Sequence, residues 1–305
     1  MPELPDVTVY IEALQARIVG KMLQRIDIAG PYLLRTFEPM PADLHGKRVN
    51  AVKRVGKRIA IGVDGGLWSV VHLMIAGRLH WSDKYKRPDG RRTLAAWVFE
   101  NGCLTLTEAG SQKRAALHIT TTPDALDAGG IDVLAATTAE FARVLASENH
   151  TVKRALTDPR LFSGIGNAYS DEILHRARMS PVTLTSRLDA DAIAKLHTAV
   201  RETLLEWTEK IRREANGKFP EKVTAFRPEM AVHGRYGLPC PDCGTKIQRI
   251  RYASNETNYC VTCQTGGKLL ADRGLSRLLR EDWPRTLEEL ENLRSETAGR
   301  SEKAG

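Results

Sequence analysis

Cys240-Pro241-Asp242-Cys243 and Cys260-Val261-Thr262-Cys263 are two CxxC knuckles with sixteen residues between them. Knuckles at that separation read as a structural zinc site. Each tight turn presents two thiolates to one tetrahedral ion, and the stretch between can fold as a β-hairpin. The metal-binding set is therefore Cys240, Cys243, Cys260 and Cys263, holding one structural Zn2+; four thiolates leave no open position for catalysis. Disulfides are the weaker alternative, because the first residues, MPELPDVTVY, carry neither the basic nor the apolar stretch of an export signal. The fifth cysteine, Cys103, follows Asn101-Gly102 and reads as a buried strand residue.

Upstream of the ribbon, Ile193, Leu196, Val200, Leu204, Trp207 and Ile211 form one apolar stripe at helical spacing. Gly164-Ile165-Gly166-Asn167 is a tight turn opening into a helix over residues 168–178. Residues 122–132, TPDALDAGGID, read as a linker. From about 21 to 121 the period changes to two: Ile59, Ile61 and Val63 alternate, as do Leu67, Ser69, Val71 and Leu73. Asn101-Gly102 is a type I′ hairpin signal, and several short strands with regular turns predict a β-sandwich or barrel. Val7, Ile11, Leu14 and Ile18 predict an amphipathic helix over residues 5–19.

At 305 residues, 42% hydrophobic and 27% charged, the chain has globular composition and length for about two domains. No apolar run approaches the roughly 18 residues of a membrane-spanning helix. Lys plus Arg number 45 against 37 Asp plus Glu, a net +8. Residues 268–305 hold eight of each sign, so the whole excess lies in residues 1–267. A basic body points to a polyanionic partner, nucleic acid above all.

Four separated segments together resemble the formamidopyrimidine-DNA glycosylase/endonuclease VIII family of base-excision repair enzymes. They are Pro2-Glu3-Leu4-Pro5-Asp6-Val7; Gly56-Lys57; Gly164-Ile165-Gly166-Asn167 with Tyr169 and Glu172; and Val232-His233-Gly234-Arg235 through Cys240 to Cys263-Gln264. The resemblance implies an α+β multidomain protein. Residues 1–121 would form an N-terminal catalytic β-sandwich with the first helix, 122–132 the linker, and 133–225 a helix–two-turns–helix DNA-binding domain. Residues 226–267 would form the zinc ribbon; beyond the reach of the resemblance, residues 268–305 read as a charged extension with a helix at 286–295. DNA would lie in the cleft between lobes. The expected activity is removal of an oxidised base followed by cleavage of the sugar–phosphate strand.

Residue by residue, the resemblance makes Pro2, Glu3 and Lys57 the catalytic group. A Met-Pro start favours removal of the initiator Met, which frees a secondary amine on Pro2. An α-amino group titrates near 8 rather than near lysine's 10.4, so more of it is nucleophilic at neutral pH. Glu3 would exchange protons, and Lys57, beside Lys53, Arg54 and Arg58, would hold a phosphate flanking the lesion. Lys153 and Asn167 would contact the DNA backbone, and Glu172 the sugar–base pocket. Asp6 replaces the family's usual Glu and fits a helix-start acid better than a proton carrier.

Three departures bear on function. Asn255 stands where the family's ribbon tip carries a phosphate-gripping arginine, so charge and bidentate fork are lost there, with Arg249 or Arg251 as substitutes. Ile75, within His72-Leu73-Met74-Ile75-Ala76-Gly77, stands where a wedge methionine is expected, with Met74 one position early. Residues 107–114, Thr-Glu-Ala-Gly-Ser-Gln-Lys-Arg, lack the aromatic wedge of an Arg-Arg-Phe-Gly loop. Weak discrimination of the opposite base follows, with tolerance of single-stranded, bubble or abasic DNA. The expected partner is damaged DNA, duplex, single-stranded or abasic, met by a monomer in the cytoplasm at the nucleoid, with no membrane. Rival readings are a non-catalytic damaged-DNA-binding protein of the same fold and an RNA- or ribosome-associated factor.

Overall fold

The computed structural model describes the chain apart from Lys222, Ala225, residues 253–254, 272–282 and 294–305, and the side chains of Pro31 and Tyr252. Two compact units emerge. The first takes Met1–Leu134, Asp158–Ile165 and Leu204–Ala225; the second takes Ala135–Thr157, Gly166–Thr203 and Phe226–Gly305.

In the first unit, α1 (Leu4–Ile18) precedes eight antiparallel strands: β1 (Met22–Ile28), β2 (Lys47–Val55), β3 (Arg58–Val63), β4 (Leu67–His72), β5 (Gly77–Ser82), β6 (Thr93–Phe99), β7 (Gly102–Glu108) and β8 (Ala116–Thr120). Their order is β5-β7-β6-β1-β2-β3-β4-β8. The β1–β2 link is only two residue pairs, Met22 with Arg48 and Leu23 with Lys47, so the sheet folds into two four-stranded leaves. One leaf gives Leu23, Trp97, Leu104 and Leu106 to the core; the other gives Val52, Ile59, Ile61, Val71 and Leu117. Trp97 Nε1 donates to Ser69 Oγ at 2.9 Å across that core, because a buried indole N–H needs an acceptor. This is the expected β-sandwich. Val7, Tyr10, Leu14 and Ile18 of α1 seal the same core, each worth roughly 1.5–3 kcal/mol in apolar burial.

Two expectations shift here. The β6–β7 register pairs Phe99 with Gly102, so the two-residue loop is Glu100-Asn101, one residue earlier than the Asn-Gly signal placed it. Residues 122–132 are packed rather than a loose connection. Pro123–Leu126 forms a 3-10 turn, and Leu126 covers Val55, Ala60 and Val70 on the outer face of β2, β3 and β4. Cys103 is buried on β7 against Ala96 and Val98, as expected.

The second unit contains α2 (Thr138–Leu145), α3 (Val152–Thr157), α4 (Asn167–Arg176) and the first half of α5 (Ala190–Ala215), then β9 (Gln248–Tyr252), β10 (Asn255–Tyr259) and α6 (Val261–Thr265). The α5 stripe is real, with Leu196, Val200, Leu204, Trp207 and Ile211 all buried. β9 and β10 form the ribbon hairpin. The extension returns to it: Trp283 and Leu290 pack on Ile250, Tyr259, Val261 and Leu269, and Lys246 pairs with Glu291 at 2.6 Å. Residues 287–293 are helical; the end of the expected 286–295 helix lies outside the described residues.

Candidate functional site

Pro2 and Glu3 precede α1, where the first helical N–H groups lack intrahelical acceptors. Asp6 accepts the backbone N–H of Glu3 at 3.0 Å, one half of a capping box. The task of Asp6 is therefore to hold the backbone of Glu3. The N–H of Leu4 donates to the carbonyl of Gly164 at 2.9 Å. That approach needs glycine: φ is +90°, and an added Cβ would stand 2.8 Å from the Leu4 Cβ. Pro2 is buried and Glu3 is 2% exposed.

Lys57 lies in the two-residue turn Gly56-Lys57 between β2 and β3 rather than in a strand, and Gly56 supplies the positive φ of +60°. Its basic neighbours are engaged in the fold. Lys53 pairs with Asp124 at 2.8 Å, Arg54 with Asp132 at 2.5 Å, and Arg58 donates to the Leu126 carbonyl at 2.8 Å. The basic cluster of the sequence is thus divided. Burial lowers the Lys57 pKa and Glu3 partly restores it. The Met1 amine, one residue ahead of the Pro2 nitrogen, is likewise lowered from 8.0. Burial is the main cause, opposed by Glu3 and Asp6 and reinforced by Arg78 and Lys57. Glu3 and Asp6 thus favour the charged form of that amine, while burial, Arg78 and Lys57 favour the neutral one.

Residues 74–76 form a turn between β4 and β5, so strand alternation does not separate Met74 from Ile75. Met74 is left-handed, φ 52°, with Sδ 2.6 Å from His72 Nδ1, while Ile75 projects with 59% exposure. Gly77 closes this turn by donating to the Leu73 carbonyl at 2.9 Å. The loop after β7 is pinned by the buried Glu108, whose carboxylate accepts from the N–H groups of Arg114 and Ala115 at 2.9–3.1 Å. Ala109, Gly110, Ser111 and Gln112 are exposed there without an aromatic ring.

The second unit places the other candidates differently from the sequence reading. Lys153 Nζ donates to Asp171 Oδ1 and, at 3.4 Å, to the Asn167 carbonyl. Asp171 also faces His233 Nδ1 at 2.8 Å and the Asn258 N–H at 3.2 Å. Lys153 is consequently 12% exposed and paired inside the unit. Asn167 Nδ2 donates to the Glu256 carbonyl at 3.0 Å, which ties the start of α4 to the ribbon hairpin. Glu172 turns its carboxylate to the backbone of the segment before the first cysteine knuckle. Its two oxygens accept the N–H groups of Ala231, Val232 and His233 at 2.7–2.9 Å. Burial raises its pKa, with those three donors pulling the other way. Asn255 is exposed at the end of β10, opposite Tyr252. Arg249 does not take over its place: it stacks on Tyr236 at 4.1 Å and pairs with Glu256 at 3.4 Å. Asp171 and His233 carry this network; His233 lies in the ribbon motif already quoted, while only the proximity of α4 and the ribbon reveals Asp171.

The four cysteine sulfurs lie within 4.8 Å of one another, with Cys240–Cys263 at 4.0 Å and Cys243–Cys260 at 3.4 Å. Tetrahedral Zn–S bonds of about 2.3 Å require sulfurs roughly 3.8 Å apart, so the donor set fits one structural zinc. Each knuckle is closed by backbone: Gly244 donates to the Cys240 carbonyl at 2.9 Å, and Gln264 to that of Cys260 at 3.0 Å. His175 Nε2 is 3.3 Å from Cys240 Sγ, an outer-shell contact from α4.

Known proteins share this arrangement. The profile of the formamidopyrimidine-DNA glycosylase N-terminal domain matches residues 1–113, that of the same enzymes' H2TH domain residues 130–216, and that of a zinc finger found in FPG and IleRS residues 237–266. The formamidopyrimidine-DNA glycosylase of Pelotomaculum thermopropionicum is 32% identical over 278 residues, covering 87% of this chain and 99% of its own. The chain belongs to the formamidopyrimidine-DNA glycosylase family. This is a family of DNA glycosylases, and its fold of sheet domain, H2TH domain and zinc finger is the one expected. The Thermus thermophilus MutM (Fpg) crystal structure is similar with a TM-score of 0.73 at 29% identity, over 86% of this chain and 98% of that one. A Lactococcus lactis member solved with Fapy-dG-containing DNA gives 0.76 at 25% identity, over 86% and 100%. An uncharacterized formamidopyrimidine-DNA glycosylase-like protein of Mycobacterium tuberculosis is 40% identical over 151 residues, half of this chain. Among the described residues no helix is long and apolar enough to cross a membrane.

Proposed function

We propose that this family member is a bifunctional base-excision enzyme that removes oxidised bases through a Schiff base on Pro2 and then cleaves the strand. The observation that carries the reading is the buried Pro2-Glu3 start of α1, fixed by the Asp6 carboxylate and the Gly164 carbonyl. After loss of Met1, the Pro2 nitrogen attacks C1′ of the damaged nucleotide, and the base departs with the glycosidic electron pair and a proton. The sugar ring opens at the C1′–O bond as its oxygen is protonated, which leaves a cationic iminium between C1′ and Pro2. The iminium acidifies C2′; loss of a C2′ proton sends electrons toward C3′ and expels the 3′ phosphate. Glu3 is the proton carrier of these steps, fixed in place by the Asp6 contact to its backbone. Lys57 supplies positive charge for the flanking phosphate.

The substrate is damaged DNA, abasic and single-stranded forms included, handled by a monomer at the nucleoid. The relative solved with Fapy-dG-containing DNA supports a lesion of that class. The second reading, a damaged-DNA-binding protein without catalysis, draws on the uncharged, exposed Asn255 and the ring-free loop after β7. The untagged protein, an abasic-site oligonucleotide and borohydride separate the two. A covalent adduct that disappears in Pro2→Gly supports the enzyme; binding without any adduct supports the second reading and overturns the first.

A further inference from the structure

The last turn of α4 is docked on both cysteine knuckles. His175, in that turn, is buried and brings Nε2 to 3.3 Å from Cys240 Sγ. The same nitrogen stands 4.0 Å from Asp242 Oδ2, in the first knuckle. Just past the helix, Arg178 donates to Asp242 Oδ2 at 3.3 Å, and the Met179 carbonyl accepts from Gln264 Nε2 at 2.9 Å. Gln264 Oε1 in turn accepts the N–H of Cys260 at 2.8 Å. Each knuckle is thus tied to this end of α4, and the imidazole keeps a fixed place beside the sulfurs.

Zinc binds imidazole nitrogen at about 2.0–2.1 Å and thiolate at about 2.3 Å, so neighbouring nitrogen and sulfur vertices of a tetrahedron stand roughly 3.5 Å apart. The 3.3 Å from His175 to Cys240 matches that spacing. One donor atom each from His175, Asp242 and Cys263 also lie within 4.8 Å of one another. The sulfurs differ in accessibility: Cys240 and Cys260 are buried, Cys263 is half-buried and Cys243 is exposed. Cys243 is therefore the ligand most open to solvent, and it follows Asp242, which His175 already faces.

We propose that His175 is a spare ligand of the zinc centre: when Cys243 no longer coordinates, His175 Nε2 takes the fourth position, and Cys240, Cys260, Cys263 and His175 keep the ion. Three cysteines and one histidine make a closed structural site of the same tetrahedral kind. Imidazole is neutral where thiolate is negative, so the exchange weakens binding without abolishing it. An outer-shell contact alone would orient Cys240 to the same extent whether or not Cys243 is present.

A double-mutant cycle on the full-length chain separates the two roles. Competition with a chromophoric chelator gives the zinc affinity of the wild type, Cys243→Ala, His175→Gln and the double variant. Cys243→Ala retains one zinc per chain, held more weakly than in the wild type. His175→Gln weakens zinc binding by no more than about tenfold in the wild-type background, the ordinary cost of losing an outer-shell partner. In the Cys243→Ala background the same substitution weakens it by at least about a hundredfold. X-ray absorption at the zinc edge of Cys243→Ala shows three sulfurs and one imidazole nitrogen around the ion. Equal losses in the two backgrounds leave His175 an outer-shell contact and overturn the proposal. A first shell of three sulfurs and a water oxygen overturns it as well, and so does a Cys243→Ala chain that takes up no zinc.

Discussion

Pro2, Glu3 and Gly164 show how much of a reactive centre depends on backbone placement. Because Gly164 adopts φ +90° and lies against Leu4, Gly164→Ala combines left-handed strain with a steric clash. It lowers stability by about 1–3 kcal/mol and slows adduct formation, measurable by denaturant unfolding and by trapping on the same samples. Adduct formation by the wild type slows as pH falls, because only the neutral amine attacks; a pH series of trapping rates checks it. Pro2 and Glu3 stand out only through the family resemblance, whereas the zinc set of four cysteines is legible in residue type and spacing alone. Arg78 and Asp171 are not, because each acts on groups far away in the chain: Val223 for one, His233 and Asn258 for the other. A lone arginine in a strand or a lone aspartate in a helix carries no mark of such partners.

Elements carry two further expectations. His72, at the end of β4, is held down to about 4 by burial, with Arg58, Lys57 and His118 adding repulsion. A histidine whose folded pKa is depressed from 6.5 contributes stability present above that value and lost as pH falls toward 4. The contribution is up to ~3 kcal/mol. The melting temperature of the wild type therefore falls over this window, and His72→Gln flattens the fall; scanning calorimetry at several pH values measures both. The loop after β7 presents no ring to the partner strand, so excision opposite the four bases varies by less than roughly threefold, where full duplex readout would spread it further. Single-turnover rates on four matched duplexes test this. Helices and strands were readable from period 3.6 and period 2, yet element ends were not. The Asn101-Gly102 signal missed the true turn because sheet register, not local propensity, selected Glu100-Asn101. Residues 122–132 looked like a linker because their apolar content is one Leu, one Ile and two Ala; that Leu126 covers the outer face of β3 depends on strands whose sequence lies far upstream.

At the scale of the molecule, zinc and the extension secure the ribbon from two sides. Chelation removes the ion that closes the Cys240–Cys263 cluster, and DNA affinity falls at least tenfold and recovers on adding zinc. A chromophoric chelator and fluorescence anisotropy follow the two quantities together. The interleaved make-up of the first unit has a consequence for biosynthesis. Met1–Leu134 is completed by Asp158–Ile165 and Leu204–Ala225, so the carbonyl of Gly164 and the segment bearing Val223 leave the ribosome long after the N-terminus. At about 5–20 residues per second that delay is roughly 10–45 s. Removal of Met1, which a nucleophilic Pro2 requires, has this interval in which to occur. Once the later segments arrive, Pro2 is buried and Met1 is only partly exposed. On the Schiff-base reading, the order of translation leaves the N-terminus open to processing before this unit closes.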